Sequence, residues 1–258
     1  MNKQDPFGIH ENQAEAYDLD RPRYPKEFID IITKNIIVNQ NYLDVATGTG
    51  ILLYELYDKF QGSLVANDIS IKQLKVAEKK AKELGLESRF QFIESDAFEI
   101  KEKLKKPTRF DLITIGQALH WLDVDKFVNY VKNDLLSDDG VFVVTGYFCD
   151  GFDYNFPFDP DFALSGQKIY DEYYATVKPY FYCDRDALDK GHSDFNFKKY
   201  FSHFERFDCT VRTELPIEKF VNFLGTASAY NVYRNKFGTQ QDYVDPVQKA
   251  NKADRKST

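Results

Sequence analysis

The hydrophobic positions of the chain recur as short runs separated by longer amphipathic stretches between residues 25 and 147. The runs predict buried strands at Tyr42–Val45, Leu64–Asn67, Arg89–Ile93, Phe110–Ile115 and Val141–Val144. Between them, apolar residues at helical spacing predict helices. This alternation is typical of a parallel sheet with helices on both faces. We therefore predict a doubly wound α/β fold.

The segments around this core have different patterns. Residues 1–24 are mostly polar, with interspersed aromatic, arginine and proline residues, and this pattern predicts an N-terminal arm. Residues 148–203 are rich in aromatic side chains and predict a cap after strand five, with rings that either hold the cap on the sheet or line a pocket. Residues 204–230 predict a strand at Phe204–Thr213 and then a helix, and residues 231–258 predict a polar tail. We expect a single domain.

Composition narrows the function classes. The chain has 258 residues and a net charge of −7, which argues against a nucleic-acid surface because phosphate contacts need a basic footprint. No run reaches the ~20 apolar residues of a membrane span, and Met1–Pro6 lacks the apolar core of a signal. Three widely spaced cysteines predict reduced thiols and no metal site. The prediction is a cytoplasmic protein.

The richest candidate chemistry follows the first strand, where Tyr42–Gly50 reads YLDVATGTG. A dinucleotide fingerprint needs a third glycine where Leu53 stands, and a phosphate-binding P-loop needs Gly-Lys-Ser/Thr where Gly50–Leu52 stands. The remaining features are an acidic residue on strand one and a glycine turn without phosphate-binding residues. This set favours a nucleoside ligand without a pyrophosphate.

Further polar residues end the next strands. Asp68 ends strand two, about 20 residues beyond the glycine turn, at the spacing of an acid that binds ribose hydroxyls. Asp96 and Gly116 follow strands three and four, and ligands of open α/β sheets bind at this edge. The alternative for each acid is structural. Asp44 would then cap its turn, and Asp68 or Ser70 would cap the helix that begins at Ile71.

Together these residues resemble the motifs of class I S-adenosylmethionine-dependent methyltransferases. The resemblance implies that Gly48 and Gly50, with Ala46, face the methionine part of the cofactor and that Asp44 faces its ammonium group. It also implies contacts to the nucleoside and from the arm. Asp68 would bind the ribose hydroxyls, and Ile69 and Asp96-Ala97 would contact the adenine. The other residues expected around the cofactor are Gly116, Tyr17 and Arg21.

A narrower resemblance joins three separated segments. Gln117–Trp121 (QALHW), Arg21–Pro25 and Thr226–Tyr230 are similar to segments of the trans-aconitate methyltransferase group, and the first also resembles juvenile hormone acid methyltransferases. This likeness implies that the methyl acceptor is the carboxylate of a small organic acid. A carboxylate acceptor is already ionised and needs no catalytic dyad to remove a proton. We therefore expect hydrogen-bond donors that align it with the methyl group.

The residues predicted to hold the acceptor carboxylate are His120, Trp121 and Gln117. Tyr24, Arg23 and Tyr230 are predicted to complete the substrate site. Alternatives remain for several of them. Trp121 could be a core anchor, His120 a neighbour of a helix cap, and Arg21 and Arg23 a solvated arm.

Two other functions stay open. The acceptor could be a phenol, an amine or a ring carbon, which needs a base, or the chain could be a structural subunit without turnover. The family's last strand also has no match after Tyr230. Either the chain is truncated, or the sheet has six strands with Phe204–Thr213 at its edge. Because an exposed edge promotes aggregation, we expect a protein partner or a helix to cover it.

Overall fold

The computed structural model describes residues 13–106, 108–147, 160–183, 185–210 and 216–249. The chain divides into two compact units. The first contains Met1–Asp18, Pro22–Tyr147 and Asp184–Arg212, and the second contains Leu19–Arg21, Phe148–Cys183 and Thr213–Thr258.

The first unit is built on a parallel sheet of five strands. In chain order they are β1 Tyr42–Val45, β2 Leu64–Asp68, β3 Phe90–Glu94, β4 Phe110–Gly116 and β5 Leu136–Thr145. Their spatial order is β3-β2-β1-β4-β5, so the order reverses between β1 and β4. This confirms the predicted doubly wound α/β fold, and the reversal marks the edge where such sheets bind ligands.

Helices connect these strands. In the first unit they are α1 Gln13–Asp20 (which crosses into the second), α2 Lys26–Lys34, α3 Ile51–Leu56, α4 Ile71–Glu83, α5 Ile100–Lys103, α6 Val124–Tyr130 and α8 Arg185–Asp189. Those of the second unit are α7 Pro160–Val177, α9 Ile217–Gly225 and α10 Ser228–Phe237. None of the helices in the described part of the chain is long and apolar enough to cross a membrane.

The sheet separates two apolar layers because successive side chains of a strand point to opposite faces. Leu43, Val45 and Ile113 belong to one layer, together with Phe127 of α6. Tyr42 and Leu112 belong to the other, which α2 and α3 cover. All four residues of β1 are buried. The acid Asp44 therefore lies inside the protein, on the central strand of the sheet.

Two predictions about the strand edge are wrong. β5 begins at Leu136 and not at the predicted Val141, so Asp138–Gly140 lies within the strand, whose pairing with β4 shifts between Phe110 and Leu112. Of the predicted sixth strand Phe204–Thr213, residues 204–210 form no strand, while residues 211–213 lie outside the described residues. The ring of Phe204 stacks on Phe197, with ring centres 5.4 Å apart, and packs against the core.

The second unit has its own aromatic core. Tyr173 and Val177 of α7 pack with Leu224 and Tyr230, and the Tyr173 hydroxyl donates to the Leu224 carbonyl at 2.6 Å. Lys249 reaches Glu172 at 2.7 Å. The helices of this unit are thus held to one another by buried rings and by links between α7, α9 and the chain beyond α10.

Candidate functional site

The Asp44 carboxyl is the most enclosed polar group of the predicted site. Only 2% of the residue is exposed. The hydroxyls of Thr47 (2.6 Å) and Thr114 (2.5 Å) donate to its two oxygens, and the Tyr42 hydroxyl lies 2.9 Å from that of Thr114. Burial raises the pKa of Asp44 to about 7 although these bonds oppose the shift. The acid is therefore poised to gain or lose its proton near neutral pH.

The turn after β1 has a left-handed backbone. Ala46, Gly48 and Gly50 have φ of 50°, 58° and 82°. A β-carbon on Gly48 would lie 2.5 Å from Gln73 Oε1, and one on Gly50 would lie 2.7 Å from the Tyr54 ring. Both glycines are thus required by conformation and by close packing.

Asp68 at the end of β2 connects this turn to α4. One carboxylate oxygen accepts the Gly48 N–H at 2.8 Å and the other accepts the Ser70 N–H at 2.8 Å. Part of the structural alternative therefore holds, since Asp68 organises the start of α4. The same bonds place its carboxylate against the glycine turn, where the predicted ribose site lies.

Asp96, Ala97 and Ile69 follow the ends of β3 and β2. Asp96 caps the next turn by accepting the Phe98 N–H at 3.0 Å, and Ala97 is buried. Ile69 is 42% exposed, and Ile71, which sequence reasoning did not select, is 39% exposed. Two partly exposed isoleucines, one on each side of Ser70, thus provide apolar surface close to Asp68.

The residues at the end of β4 are closely packed and hydrogen-bonded. Gln117 has a left-handed φ of 58°, and its side-chain amide donates to the Tyr147 carbonyl at 2.9 Å. A β-carbon on Gly116 would lie 2.6 Å from the Tyr24 hydroxyl. Tyr24 therefore closes over the end of β4, next to the residues predicted to hold the acceptor.

His120 lies in a short 3-10 turn, Leu119–Trp121, beyond Gln117. It is buried, and its Nδ1 has no hydrogen-bond partner among the described residues. Its ring is 5.8 Å from that of Trp121 and 6.3 Å from that of His192. Burial, with the nearby charges of Arg185 and His192, lowers the pKa of His120 to about 3. The imidazole is therefore neutral at pH 7.

The N-terminal arm reaches the glycine turn through Asp18. Its carboxylate accepts the Thr49 hydroxyl at 3.1 Å, and its backbone carbonyl accepts Arg23 Nη2 at 2.7 Å. Arg23 is thus bonded within the arm while 44% of its side chain stays exposed, so the alternative of a solvated arm remains open for it. Tyr17 lies in α1, and its side chain is outside the described part.

Arg21 and Tyr230 belong to the second unit. Arg21 Nε donates to the Thr226 hydroxyl at 2.9 Å, and its guanidinium lies 5.1 Å from the centre of the Phe223 ring. The Tyr230 hydroxyl donates to Asp245 at 2.9 Å. Two of the three segments of the narrower resemblance, the arm and the Thr226–Tyr230 segment, are therefore joined directly.

A family model described as a methyltransferase domain matches residues 36–171, which is more than half of the chain. The chain belongs to the methyltransferase-domain family. This confirms the prediction of an S-adenosylmethionine-dependent methyltransferase domain and of S-adenosylmethionine as its cofactor. The trans-aconitate and juvenile hormone acid subgroup stays a prediction.

Two relatives of this methyltransferase domain come from Saccharomyces cerevisiae. One, named probable S-adenosylmethionine-dependent methyltransferase CRG1, is 25% identical over 136 residues, covering 52% of this chain and 45% of its own. The other, protein-lysine N-methyltransferase EFM4, is 28% identical over 138 residues, covering 46% and 58%. The chain spans about half the length of these curated relatives.

Among solved structures, a protein described as a candidate type II methyltransferase from Anaeromyxobacter dehalogenans is similar to this methyltransferase domain. The TM-score is 0.63 at 20% identity, over 92% of this chain and 89% of that one. At this identity the likeness shows the fold alone, and it extends beyond the segment that the family model matches.

The residues at the edge of the methyltransferase sheet fit S-adenosylmethionine. Gly48 and Gly50 leave no β-carbon above the turn, and Asp44 and Asp68 supply two carboxyl groups on neighbouring strands. The Ser70 hydroxyl is buried and has no partner among the described residues. This donor and acceptor set suits an ammonium group and ribose hydroxyls, and Ile69 suits the face of a purine.

Sequence reasoning did not select Arg185 and His192, which the fold brings near His120. They lie far from His120 along the chain and belong to no recognisable spacing pattern. The local signal in the sequence is Lys190-Gly191, which indicates a turn at the end of a helix. It does not indicate a binding or catalytic role for Arg185 or His192.

Proposed function

We propose that this chain transfers the methyl group of S-adenosylmethionine to the carboxylate of a small organic acid. The observation that carries the proposal is His120, a buried and neutral imidazole at the exit of β4 whose Nδ1 has no hydrogen-bond partner among the described residues. An ionised carboxylate needs no base, and a group with a pKa of about 3 is a poor one. The site therefore suits an acceptor that arrives already deprotonated.

When bound, the cofactor supplies an electrophilic methyl group on a sulfonium. The contribution of the protein is then to orient the acceptor and to remove its water, and orientation alone can supply roughly 7–11 kcal/mol. Gln117, held by its bond to Tyr147, fixes the backbone that presents His120 and Trp121. Tyr24 limits access from the side of Gly116.

A second candidate is methyl transfer to an amine. The relative named as a protein-lysine N-methyltransferase favours it. An amine must lose a proton before it attacks, however, and the described surroundings of His120 do not provide a strong base. A structural subunit without turnover is less well supported, because the sheet edge retains the residues that fit the cofactor.

The test begins with a thermal shift in S-adenosylmethionine and in its demethylated product. Ligand at about 100 times Kd adds about 2.7 kcal/mol, which is roughly 5–10 °C for a domain of this size. A methyl-transfer screen then compares carboxylic acids with phenols, small amines and a lysine peptide. Methyl esters as products support the proposal. Methylamines as the main products contradict it, and an absent thermal shift would favour the structural subunit.

A further inference from the structure

A second element with charged side chains lies at the acceptor end of the sheet. Helix α8 packs against the turn Leu119–Trp121, and its buried Leu188 occupies the space beside Gly146, just beyond β5. No side chain would fit on Gly146 without moving Leu188. The end of β5 thus fixes α8, and the first residue of this helix, Arg185, lies close enough to act on His120.

Three nitrogen-bearing side chains gather here. His120 and His192 are 8% and 6% exposed, and their ring centres are 6.3 Å apart. The Arg185 side chain is 18% exposed, and its Nε lies 2.9 Å from the Asp189 carboxylate. The group therefore combines two buried imidazoles with a guanidinium that is ion-paired with Asp189.

The backbone holds His192 in a strained position. Its φ is 54°, in the left-handed region that is unfavourable for a non-glycine residue. Its N–H donates to the Ala187 carbonyl at 2.7 Å, and Arg206 donates to the Gly191 carbonyl at 2.7 Å. Among the described residues, the other non-glycine positions with positive φ are Ala46 and Gln117, both in the candidate site. Such strain concentrates at functional sites.

We propose that His120, Arg185 and His192 form an anion-binding subsite for a carboxylate of the methyl acceptor. This inference rests on the proposed function and adds the residues that select an acid. His120 Nδ1 is buried without a partner in the described structure, and a buried polar atom of this kind is costly unless a ligand or water pairs with it. With the imidazole proton on Nδ1, this nitrogen donates to a carboxylate, which also pairs with the positive charge of Arg185.

The test is a binding measurement that does not depend on turnover. Glutarate and its neutral counterpart glutaramide are titrated into protein with ¹⁵N-labelled histidine, and the side-chain signals of His120 and His192 are followed by NMR. We expect glutarate to shift both signals and glutaramide to shift neither. Arg185→Gln should weaken glutarate binding roughly 10–100-fold, because a charge-assisted hydrogen bond is lost. Arg185→Lys, which keeps the charge, should lose less.

Lys190→Gln is the matched control. It removes the same charge one residue beyond α8, from a side chain that is 60% exposed and pairs with Asp194. Its affinity for glutarate should equal that of the wild type. An unchanged thermal shift with the demethylated cofactor shows that each variant is folded.

Equal glutarate affinity in Arg185→Gln and wild type would overturn the subsite, as would equal signal shifts by glutarate and glutaramide. The proposed function fails separately. If acids are methylated with an unchanged KM in Arg185→Gln, only the subsite is wrong. If glutarate binds through Arg185 but no acid is methylated, the subsite stands and the reaction is wrong.

Discussion

Asp68 and Asp111 accept backbone N–H groups at opposite ends of the sheet, Asp68 with both carboxylate oxygens and Asp111 with one. Each is 7% exposed and accepts two backbone N–H groups. Asp68 binds those of Gly48 and Ser70 at the ligand edge, and Asp111 binds those of Gln40 and Asn41 at the start of β1. Comparing the two acids separates the role of a carboxylate in folding from its role in binding.

We predict that Asp68→Asn raises the Kd of the demethylated cofactor at least about tenfold. An asparagine amide has only one acceptor oxygen, so its NH₂ group would face the N–H of either Gly48 or Ser70. The variant would also lose a carboxylate oxygen that could accept from the ribose hydroxyls. Asp111→Asn can keep both backbone bonds through its single amide oxygen, so it should lower the free energy of unfolding by only about 1 kcal/mol, for the loss of the charge, and leave the Kd unchanged. Titration calorimetry with urea denaturation decides, and equal Kd values in the two variants would refute the ribose assignment.

At the scale of elements, the turn before α3 and the turn after α4 show how backbone geometry and packing combine. Gly50 and Gly85 both have left-handed φ, at 82° and 68°. A β-carbon on Gly50 would meet the Tyr54 ring, whose hydroxyl bonds to the Ala77 carbonyl of α4 at 2.5 Å. A β-carbon on Gly85 would have nothing within 4 Å. The two glycines therefore share a left-handed backbone conformation but differ in the packing around them.

Gly85→Ala should lower the free energy of unfolding by roughly 1–2 kcal/mol, the cost of a left-handed backbone for alanine. Gly50→Ala should cost more, because it adds the displacement of Tyr54, and it should also weaken cofactor binding. Urea denaturation and a thermal shift with cofactor measure both effects. Equal losses in the two variants, with unchanged binding, would show that Tyr54 moves without cost.

The sequence predicted the elements that carry strong local patterns. The runs from Tyr42, Leu64 and Phe110 became adjacent buried strands, and the glycine turn took the expected place. The prediction failed where tertiary contacts decide. Phe204 packs into the core, which no local alternation encodes, and Asp138–Gly140 extends β5 through an irregular pairing with β4. Arg185 and His192 approach His120 only because α8 packs at the end of β5.

At the scale of the whole molecule, two buried groups shift stability with pH in opposite directions. The pKa of Asp44 is raised from 3.8 to about 7, so its contribution is present below pH ~4 and is lost as the pH rises through 7. The pKa of His120 is lowered from 6.5 to about 3, so stability is lost as the pH falls from 6.5. Between pH ~4 and ~6.5 the folded state holds one extra proton on Asp44 and one fewer on His120.

We predict that the two slopes cancel in this window and that single variants reveal them. Relative to the wild type, Asp44→Asn should gain unfolding free energy as the pH rises, and His120→Gln should lose it, each by up to ~1.4 kcal/mol per pH unit. Urea denaturation between pH 4.5 and 6.5 measures the differences. Parallel pH profiles for the three proteins would show that neither group is shifted.

The bond between Asp44 and Thr114 also has a consequence for the order of folding. Its partners are 70 residues apart in the chain, on the two strands where the sheet reverses. Strands β1 to β3 come first in the sequence, and the contact with β4 closes a long loop, which is entropically costly. Until it closes, Asp44 keeps its water and its ordinary acidity. The cofactor edge is therefore completed only when both halves of the sheet have joined.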